Sequence, residues 1–277
     1  MPQSPPTEFS GKTAFITGAG SGIGRALSDL LAAEGCRLML SDIDEASLGE
    51  TARMLKDAGA AVETARLDVA DRGAVEALAA RSIERFGQVD LVFNNAGVWI
   101  ADDVADMAYE DFDWLMNINF WGVVHGCKAF LPHMTARRSG HIVNMSSLFG
   151  LIAVPGQSAY CASKFAVGGF TEALRLELAG SGVSVHGVYP AGFATGIARN
   201  ARGPGAAILA EREAGRPESE RFLNLPPSKA ATIIRDGIRR GDPRIVFGNQ
   251  AKKSDLLSRL MPKRFGLKLA KQRQSKR

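Results

Sequence analysis

Cystine chemistry is missing from this sequence. Its three cysteines, Cys36, Cys127 and Cys161, are odd in number, widely spaced and form no CxxC pair. Buried reduced thiols in a cytoplasmic protein are therefore expected, with no disulfide framework and no metal site. No secretory leader is expected either, since Met1 to Thr7 is short and polar, without a basic start or an apolar run. No uncharged apolar stretch is long enough to span a bilayer. Internal repeats and low-complexity segments are also absent, apart from an alternation of strand and helix patterns.

What is present is ordinary in bulk and uneven in placement. Hydrophobic residues make up 45% and charged residues 23% of 277, which suits one globular α/β domain over 1–277. The net charge of +5 is misleading. Residues 251–277 hold ten Lys or Arg and one acid, Asp255, so this tail carries +9 and the remaining 250 residues carry −4. An acidic body argues against nucleic acid as a partner.

The amino-terminal pattern is strand, glycine loop, helix. Thr13-Ala14-Phe15-Ile16 runs into Gly18-Ala19-Gly20-Ser21-Gly22-Ile23-Gly24, followed by Ala26, Leu27, Leu30 and Leu31 on one helical face. Glycines let the backbone turn tightly and approach a pyrophosphate held at the positive end of the helix. A structural glycine turn is the plainer alternative. The next strand ends at Asp42, 24 residues beyond Gly18, with no Arg or Lys at 43 or 44. A carboxylate there accepts both hydroxyls of an adenosine ribose and repels a 2′-phosphate, which favours NAD over NADP. It would serve equally as a cap for the helix expected over 44–58.

Further strands end at Asp68-Val69 and at Asn94-Asn95-Ala96-Gly97, and a helix is expected over 72–86. Alternating strands and helices predict a parallel sheet covered on both faces, with ligands outside the carboxyl ends of its strands. Gly18, Asp42, Asp68 and Asn95 all fall at those ends. The helix over 110–136 carries Asn117-Ile118-Asn119-Phe120-Trp121-Gly122, a poor helical stretch that implies either local loosening or tight packing around Gly122. A strand over 141–145 ends at Ser146-Ser147. On the helix over 158–179, Tyr160 and Lys164 are four residues apart and so share a face. A neighbouring ammonium favours the phenolate, making the pair able to exchange a proton with an alcohol or ketone. Taken alone, the spacing also fits an amphipathic tyrosine beside a surface lysine.

Residues 196–226 lose periodicity and read as an insert over the site, a mobile lid between core segments 10–195 and 227–250. Ser228 is a candidate cap for a helix ending near Arg240, with a last strand at Ile245-Val246-Phe247. The tail sets Leu256, Leu257, Leu260, Met261, Phe265 and Leu269 among its cations. It suggests either peripheral contact with an anionic membrane or a helix docked on a partner subunit.

These segments together resemble the short-chain dehydrogenase/reductase family. The resemblance rests on Thr17-Gly18-x3-Gly22-x-Gly24, Asp68-Val69, Asn94-Asn95-Ala96-Gly97, Asn119, Ser147, Tyr160-x3-Lys164 and Pro190 to Thr195. It implies a Rossmann-like doubly wound parallel sheet of about seven strands in the order 3-2-1-4-5-6-7. It also implies an NAD(P)-dependent oxidoreductase, with Asn119, Ser147, Tyr160 and Lys164 as the proton relay. Gly18, Ser21, Gly22, Ile23 and Gly24 would meet the pyrophosphate, Asp42 the ribose, and Asp68 and Val69 the adenine. Asn95, Ala96, Gly97, Pro190 and Thr195, with Tyr160 and Lys164, would line the rest of the cofactor. A homo-tetramer or homo-dimer is implied through the helices at 110–136 and 158–179.

One departure is Pro190-Ala191-Gly192 where the family usually has Pro-Gly. The Cβ of Ala191 would crowd the nicotinamide, or be harmless if the backbone is extended there. With Ser147, the residues Trp99, Phe149 and Phe193 are expected to face the substrate, although Trp99 and Phe149 also suit the core. No Arg or Lys follows Asn95 or Ser147, so an uncharged, lipophilic secondary alcohol or ketone is expected. A catalytically silent nucleotide-binding scaffold or sensor is the alternative, and the intact relay argues against it.

Overall fold

The computed structural model describes residues 8–192, 197, 201–203, 225–248 and 250–267. Seven parallel strands form one sheet in the order β3-β2-β1-β4-β5-β6-β7. They are β1 (Thr13–Thr17), β2 (Arg37–Asp42), β3 (Val62–Arg66), β4 (Leu91–Asn94), β5 (Gly140–Met145), β6 (Val183–Ala191) and β7 (Arg244–Gly248). The helices are α1 (Gly22–Ala33), α2 (Glu45–Asp57), α3 (Arg72–Phe86), α4 (Tyr109–Met116), α5 (Gly122–Arg137), α6 (Ser158–Glu177), α7 (Pro227–Arg240) and α8 (Ala251–Leu260). The parallel sheet is the one the alternating pattern predicts, and its Rossmann-like strand order is the one the family resemblance implies.

Each central strand is buried on both faces, and its side chains divide between two cores with a period of two. Ala14, Ile16, Leu38, Leu40, Leu91 and Phe93 face α1, α2 and α7, where they meet Leu27, Leu31, Leu48 and Ile234. Phe15, Met39, Val92 and Ile142 face α3, α5 and α6, against Leu78, Phe130 and Val167. At roughly 1.5–3 kcal/mol for each large side chain removed from water, these two layers dominate the stability. They hold the strand ends in a fixed array. The chain order reverses between β1 and β4, opening a crevice at their carboxyl ends.

Three local expectations change. The helix expected over 110–136 is continuous in direction but widens into a π-turn at Asn117–Trp121 between α4 and α5. Loosening and close packing both occur there. A Cβ on Gly122 would stand 2.8 Å from a Val69 methyl, so only glycine lets the helix approach that strand end. Ser228 does not cap α7; Pro226 holds that position and Ser228 lies in the first turn. Asp42 does not cap α2, because Asp44 does, accepting from the N–H groups of Ala46 and Ser47. Most of the insert expected at 196–226 lies outside the described residues, as do Phe193 and Thr195.

Candidate active site

The glycine loop packs against the end of β4. Gly24 is the tightest point: a Cβ there would stand 2.0 Å from the Gly18 carbonyl oxygen. Gly22 has φ +53, in the left-handed region that favours glycine. Asn95 ties the loop down, its Nδ2 donating to the carbonyls of Thr17 (2.9 Å) and Gly18 (3.2 Å). Ser21 precedes α1 without capping it, and the first turn of α1 carries no acid. Its initial N–H groups and dipole are thus open to an anion.

Asp42 stands beside this loop. Its Oδ2 accepts from Gly20 N–H (2.8 Å) and its Oδ1 from Asp44 N–H (3.1 Å). Each oxygen keeps lone-pair capacity for a hydroxyl. Arg25, one turn into α1, is turned to the carbonyls of Gly20 (2.6 Å) and Ser47 (3.1 Å) and to Glu50. Asp68 accepts from Ala70 N–H (2.9 Å). The Val69 carbonyl lies 3.1 Å from His125 Nδ1, which anchors this strand end to α5.

At the other end of the same cleft, Ser147, Tyr160 and Lys164 come together. Ser147 leaves β5 in extended conformation and its Oγ accepts from Phe149 N–H (3.2 Å), starting a short 3-10 turn over Leu148–Gly150. Tyr160 is 8% exposed, with Phe149 edge-on at 6.2 Å. Lys164 is 3% exposed and its Nζ donates to the Met145 carbonyl (3.0 Å). Burial pushes Lys164 down to about 8. It pushes the Tyr160 phenol up to about 12, drawn back by a hydrogen bond from Ser147 and raised by Cys161. That upward direction is opposite to the one a neighbouring lysine alone would give. Nζ lies 5.8 Å from the ring centroid, and removing the phenolate from water outweighs the ammonium.

Asn119 belongs behind the cleft wall. It is fully buried in the π-turn, accepting from Val98 N–H (2.8 Å) and donating to Val98 O (3.0 Å) and Ser163 Oγ (3.1 Å). This amide pins residues 97–98 over Lys164. A Cβ on Gly97 would lie 3.1 Å from Asn119 Oδ1 and 3.4 Å from Lys164 Nζ. Asn119 Oδ1 and Lys164 Nζ thus both close on the backbone at Gly97, and the Asn119 amide is engaged by Val98 and Ser163.

One cavity of about 530 Å³ joins the two ends. Among the residues singled out in the sequence, Gly18, Ser21, Gly22, Ile23, Asp42, Asp68, Val69, Asn95, Ala96, Gly97, Trp99, Ser147, Phe149, Tyr160, Lys164 and Pro190 line it. Gly24 and Asn119 stand behind it. Trp99 and Phe149 face the cavity and also pack in a small aromatic core with Tyr160. At Ala191 the backbone is extended strand, paired with Gly248, and the positive φ (+78) falls at Gly192. The glycine is therefore displaced by one position. Sequence reasoning passed over Ser41, Ile43, Met145, Ser146 and Gln157, which also line the cavity. For Gln157 a signal existed, since it precedes Tyr160 by one helical turn.

Among the described residues no cluster of His, Cys, Asp or Glu is arranged to hold a metal, and no helix is long and apolar enough to cross a membrane. A short chain dehydrogenase profile matches residues 12–204. The putative oxidoreductase SadH of Mycobacterium tuberculosis is 48% identical over 262 residues, covering 92% of both chains. A short-chain dehydrogenase/reductase from Burkholderia phymatum, solved in complex with NAD, is 35% identical. It superposes with TM-score 0.85 over 92% of this chain and 95% of its own. A metagenomic short-chain oxidoreductase solved with NADP is 34% identical, with TM-score 0.64 over 66% of this chain and 84% of its own.

Proposed function

The chain belongs to the short-chain dehydrogenase family, and from that premise we propose that it interconverts a lipophilic secondary alcohol and its ketone with NAD. The carrying observation is one cleft with a glycine loop and the Asp42 carboxylate at one end and Ser147, Tyr160 and Lys164 at the other. The residues fit a dinucleotide. The open amino end of α1 suits the pyrophosphate, Asp42 the ribose hydroxyls, and Asp68 and Val69 the adenine. Gly18, Ser21, Gly22 and Ile23 would hold the phosphates, Asn95 to Gly97 and Pro190 the nicotinamide side, with Thr195 beyond the described residues. A bound nicotinamide would supply the hydride acceptor or donor. The carboxylate at 42, and an Arg25 already engaged, favour NAD.

Ser147 would donate a hydrogen bond to the substrate oxygen and hold it beside Tyr160. In oxidation the Tyr160 oxygen takes the hydroxyl proton; in reduction its O–H returns a proton to the carbonyl oxygen. Burial alone leaves Tyr160 a weak base. Lys164, beside it, supplies positive charge below about pH 8. Leu148, Phe149, Val154 and Pro155 give the substrate end its apolar lining. A panel of secondary alcohols and ketones, followed by the absorbance of reduced nicotinamide, tests this reading. Turnover is expected, with higher kcat/KM for NAD than for NADP. Absence of turnover with both cofactors would overturn the activity, and a preference for NADP would overturn the reading of Asp42.

Association belongs to the same proposal. Trp121, Phe165 and Leu176 are exposed along the π-turn and α6, supporting a homo-dimer or homo-tetramer through these helices. On α8 and just beyond, Leu256, Leu260, Met261 and Leu267 are exposed beside Lys252, Lys253, Lys263 and Arg264. The acid there, Asp255, is engaged by Arg244 and Arg259. Cationic and apolar groups on one surface complement an anionic bilayer. Phe265 packs against the buried cluster of Leu148, Ile152, Ala191 and Ala251, as do Phe149 and Val154, so this surface adjoins the substrate end. Full-length protein should sediment with anionic vesicles more than protein truncated at residue 250; equal sedimentation would remove the membrane from the proposal.

A further inference from the structure

Within the insert expected at 196–226, residues 201–203 are fastened to a segment a hundred residues earlier in the chain. The Arg202 N–H donates to the Trp99 carbonyl (3.1 Å), and the Arg202 carbonyl accepts from Ala101 N–H (3.2 Å), a parallel bridge centred on Ile100. Gly203 follows with φ +88, and a Cβ there would stand 3.0 Å from the Ala101 carbonyl oxygen. Two backbone bonds near the surface exchange readily with water and hold little by themselves. The side chain of Arg202 supplies the rest. Its guanidinium carbon lies 3.8 Å from the Trp114 ring centroid, and Nη1 donates to Asp111 Oδ1 (2.9 Å), both partners on α4. A planar guanidinium can stack by its face and donate from its edge at once, which an ammonium cannot.

Arg202 does not itself line the cavity, but what it holds does. Trp99 is 6% exposed, and Ile197 packs with Ala201 against the aromatic core of Trp99, Leu115 and Tyr160. Trp99 and Ile197 both line the cleft. We propose that Arg202 is a positioning residue for substrate specificity: it rivets its segment to α4, so that Trp99 and Ile197 form a fixed apolar wall for the part of the substrate beyond the reacting carbon. The inference rests on the alcohol–ketone reading above and narrows it. A wall already in place favours a bulky apolar group, because ordering the wall no longer subtracts from binding. A small ketone, held through its oxygen by Ser147 and Tyr160, depends on that wall far less. The favoured substrate is thus a ketone or secondary alcohol bearing an aryl or other bulky apolar group. Arg202, committed to Asp111 and Trp114, is no partner for a substrate carboxylate.

The test compares benzylacetone with butanone, each reduced with NADH by the full-length protein. Wild type should show the lower KM for benzylacetone. Arg202→Ala should raise KM for benzylacetone about tenfold, while kcat, KM for NADH and KM for butanone stay within about twofold. Arg202→Lys, which keeps the charge but loses the stacking face, should give a rise of about threefold, as should Asp111→Asn. The double variant Arg202→Ala/Asp111→Asn should be no worse than Arg202→Ala, since both act through one contact. A rise shared by both ketones, or a comparable loss in kcat or in KM for NADH, would show general loosening and overturn the proposal. An unchanged KM in Arg202→Ala would overturn it too, as would a wild type without preference for the bulkier ketone. Turnover of neither ketone by wild type would instead bring down the alcohol–ketone reading, and this inference with it.

Discussion

The two ends of the sheet both bury charged and polar side chains, yet they use them differently. At the amino end, Asp90 is 2% exposed and every contact it makes is internal. It accepts from Thr13 N–H (2.9 Å), Gln88 Nε2 (3.1 Å) and Arg137 Nη2 (2.9 Å), with Lys12 at 3.8 Å. Nearby, His141 Nδ1 and His186 Nε2 stand 3.0 Å apart, and His186 Nδ1–H donates to the Asp242 carbonyl (2.7 Å). At the carboxyl end, Asp42, Ser147, Tyr160 and Gln157 keep unused capacity and line a cavity. Burial of polar groups is thus common to both ends. Capacity left over is what separates a site from a brace.

The comparison can be broken at its strongest point first. Tyr160→Phe should cut turnover about 10³-fold, while NADH binding and melting temperature stay near wild type. Retained turnover would remove the proton-transfer role. Asp90→Ala is the mirror experiment. It should cost about 3 kcal/mol in urea unfolding, because Arg137 and the Thr13 N–H lose their buried partner. Turnover per folded molecule should not change, and a selective loss of activity would erase the distinction between the ends.

Acid sharpens the same contrast. Burial, with His186 and Lys12 beside it, holds His141 down to about 4, below its ordinary 6.5. A depressed value favours the neutral ring in the fold. Its stabilising contribution is complete above 6.5 and is lost as pH falls toward 4. Between pH 7 and 5 the loss should be about 2 kcal/mol. It should be smaller in His141→Gln; an identical pH slope would exclude His141 as the cause. The mildest effect is expected at Asp42, where Ala should raise KM for NAD about tenfold with little change in kcat. No change in KM would take Asp42 out of the ribose site.

The fold was legible because the strands are short, apolar and separated by helices of regular period. Strand-end residues such as Gly18, Asp42, Asn95 and Ser147 were legible for a related reason: in a parallel sheet, chain position at a strand end fixes spatial position. Asn119 was visible as a disturbance in a helix, but its role was not. That role depends on Val98 and Ser163, distant in sequence and adjacent only after folding. The burial of Tyr160 was not legible, because spacing reports a neighbouring charge and says nothing of how far the phenol is removed from water. Gln157 had its spacing from Tyr160 as a signal, but the fixing of its amide depends on Trp99, distant in sequence.

The π-turn at Asn117–Trp121 carries a consequence for chain length. A π-turn absorbs one residue more than a regular helix would hold. It acts as a phase adapter, letting α4 meet the aromatic core around Tyr160 while α5 meets the sheet. Removing one residue in the turn would restore an even winding while α4 and α5 keep their faces, because the turn has absorbed the extra residue. Leu115 would keep its neighbours, but Asn119, inside the turn, would lose Val98. Single substitutions alter one side chain of this helix, whereas a single deletion would change its timing. Insertions and deletions in other helices can be absorbed at a loop; here the count of residues is itself part of the site.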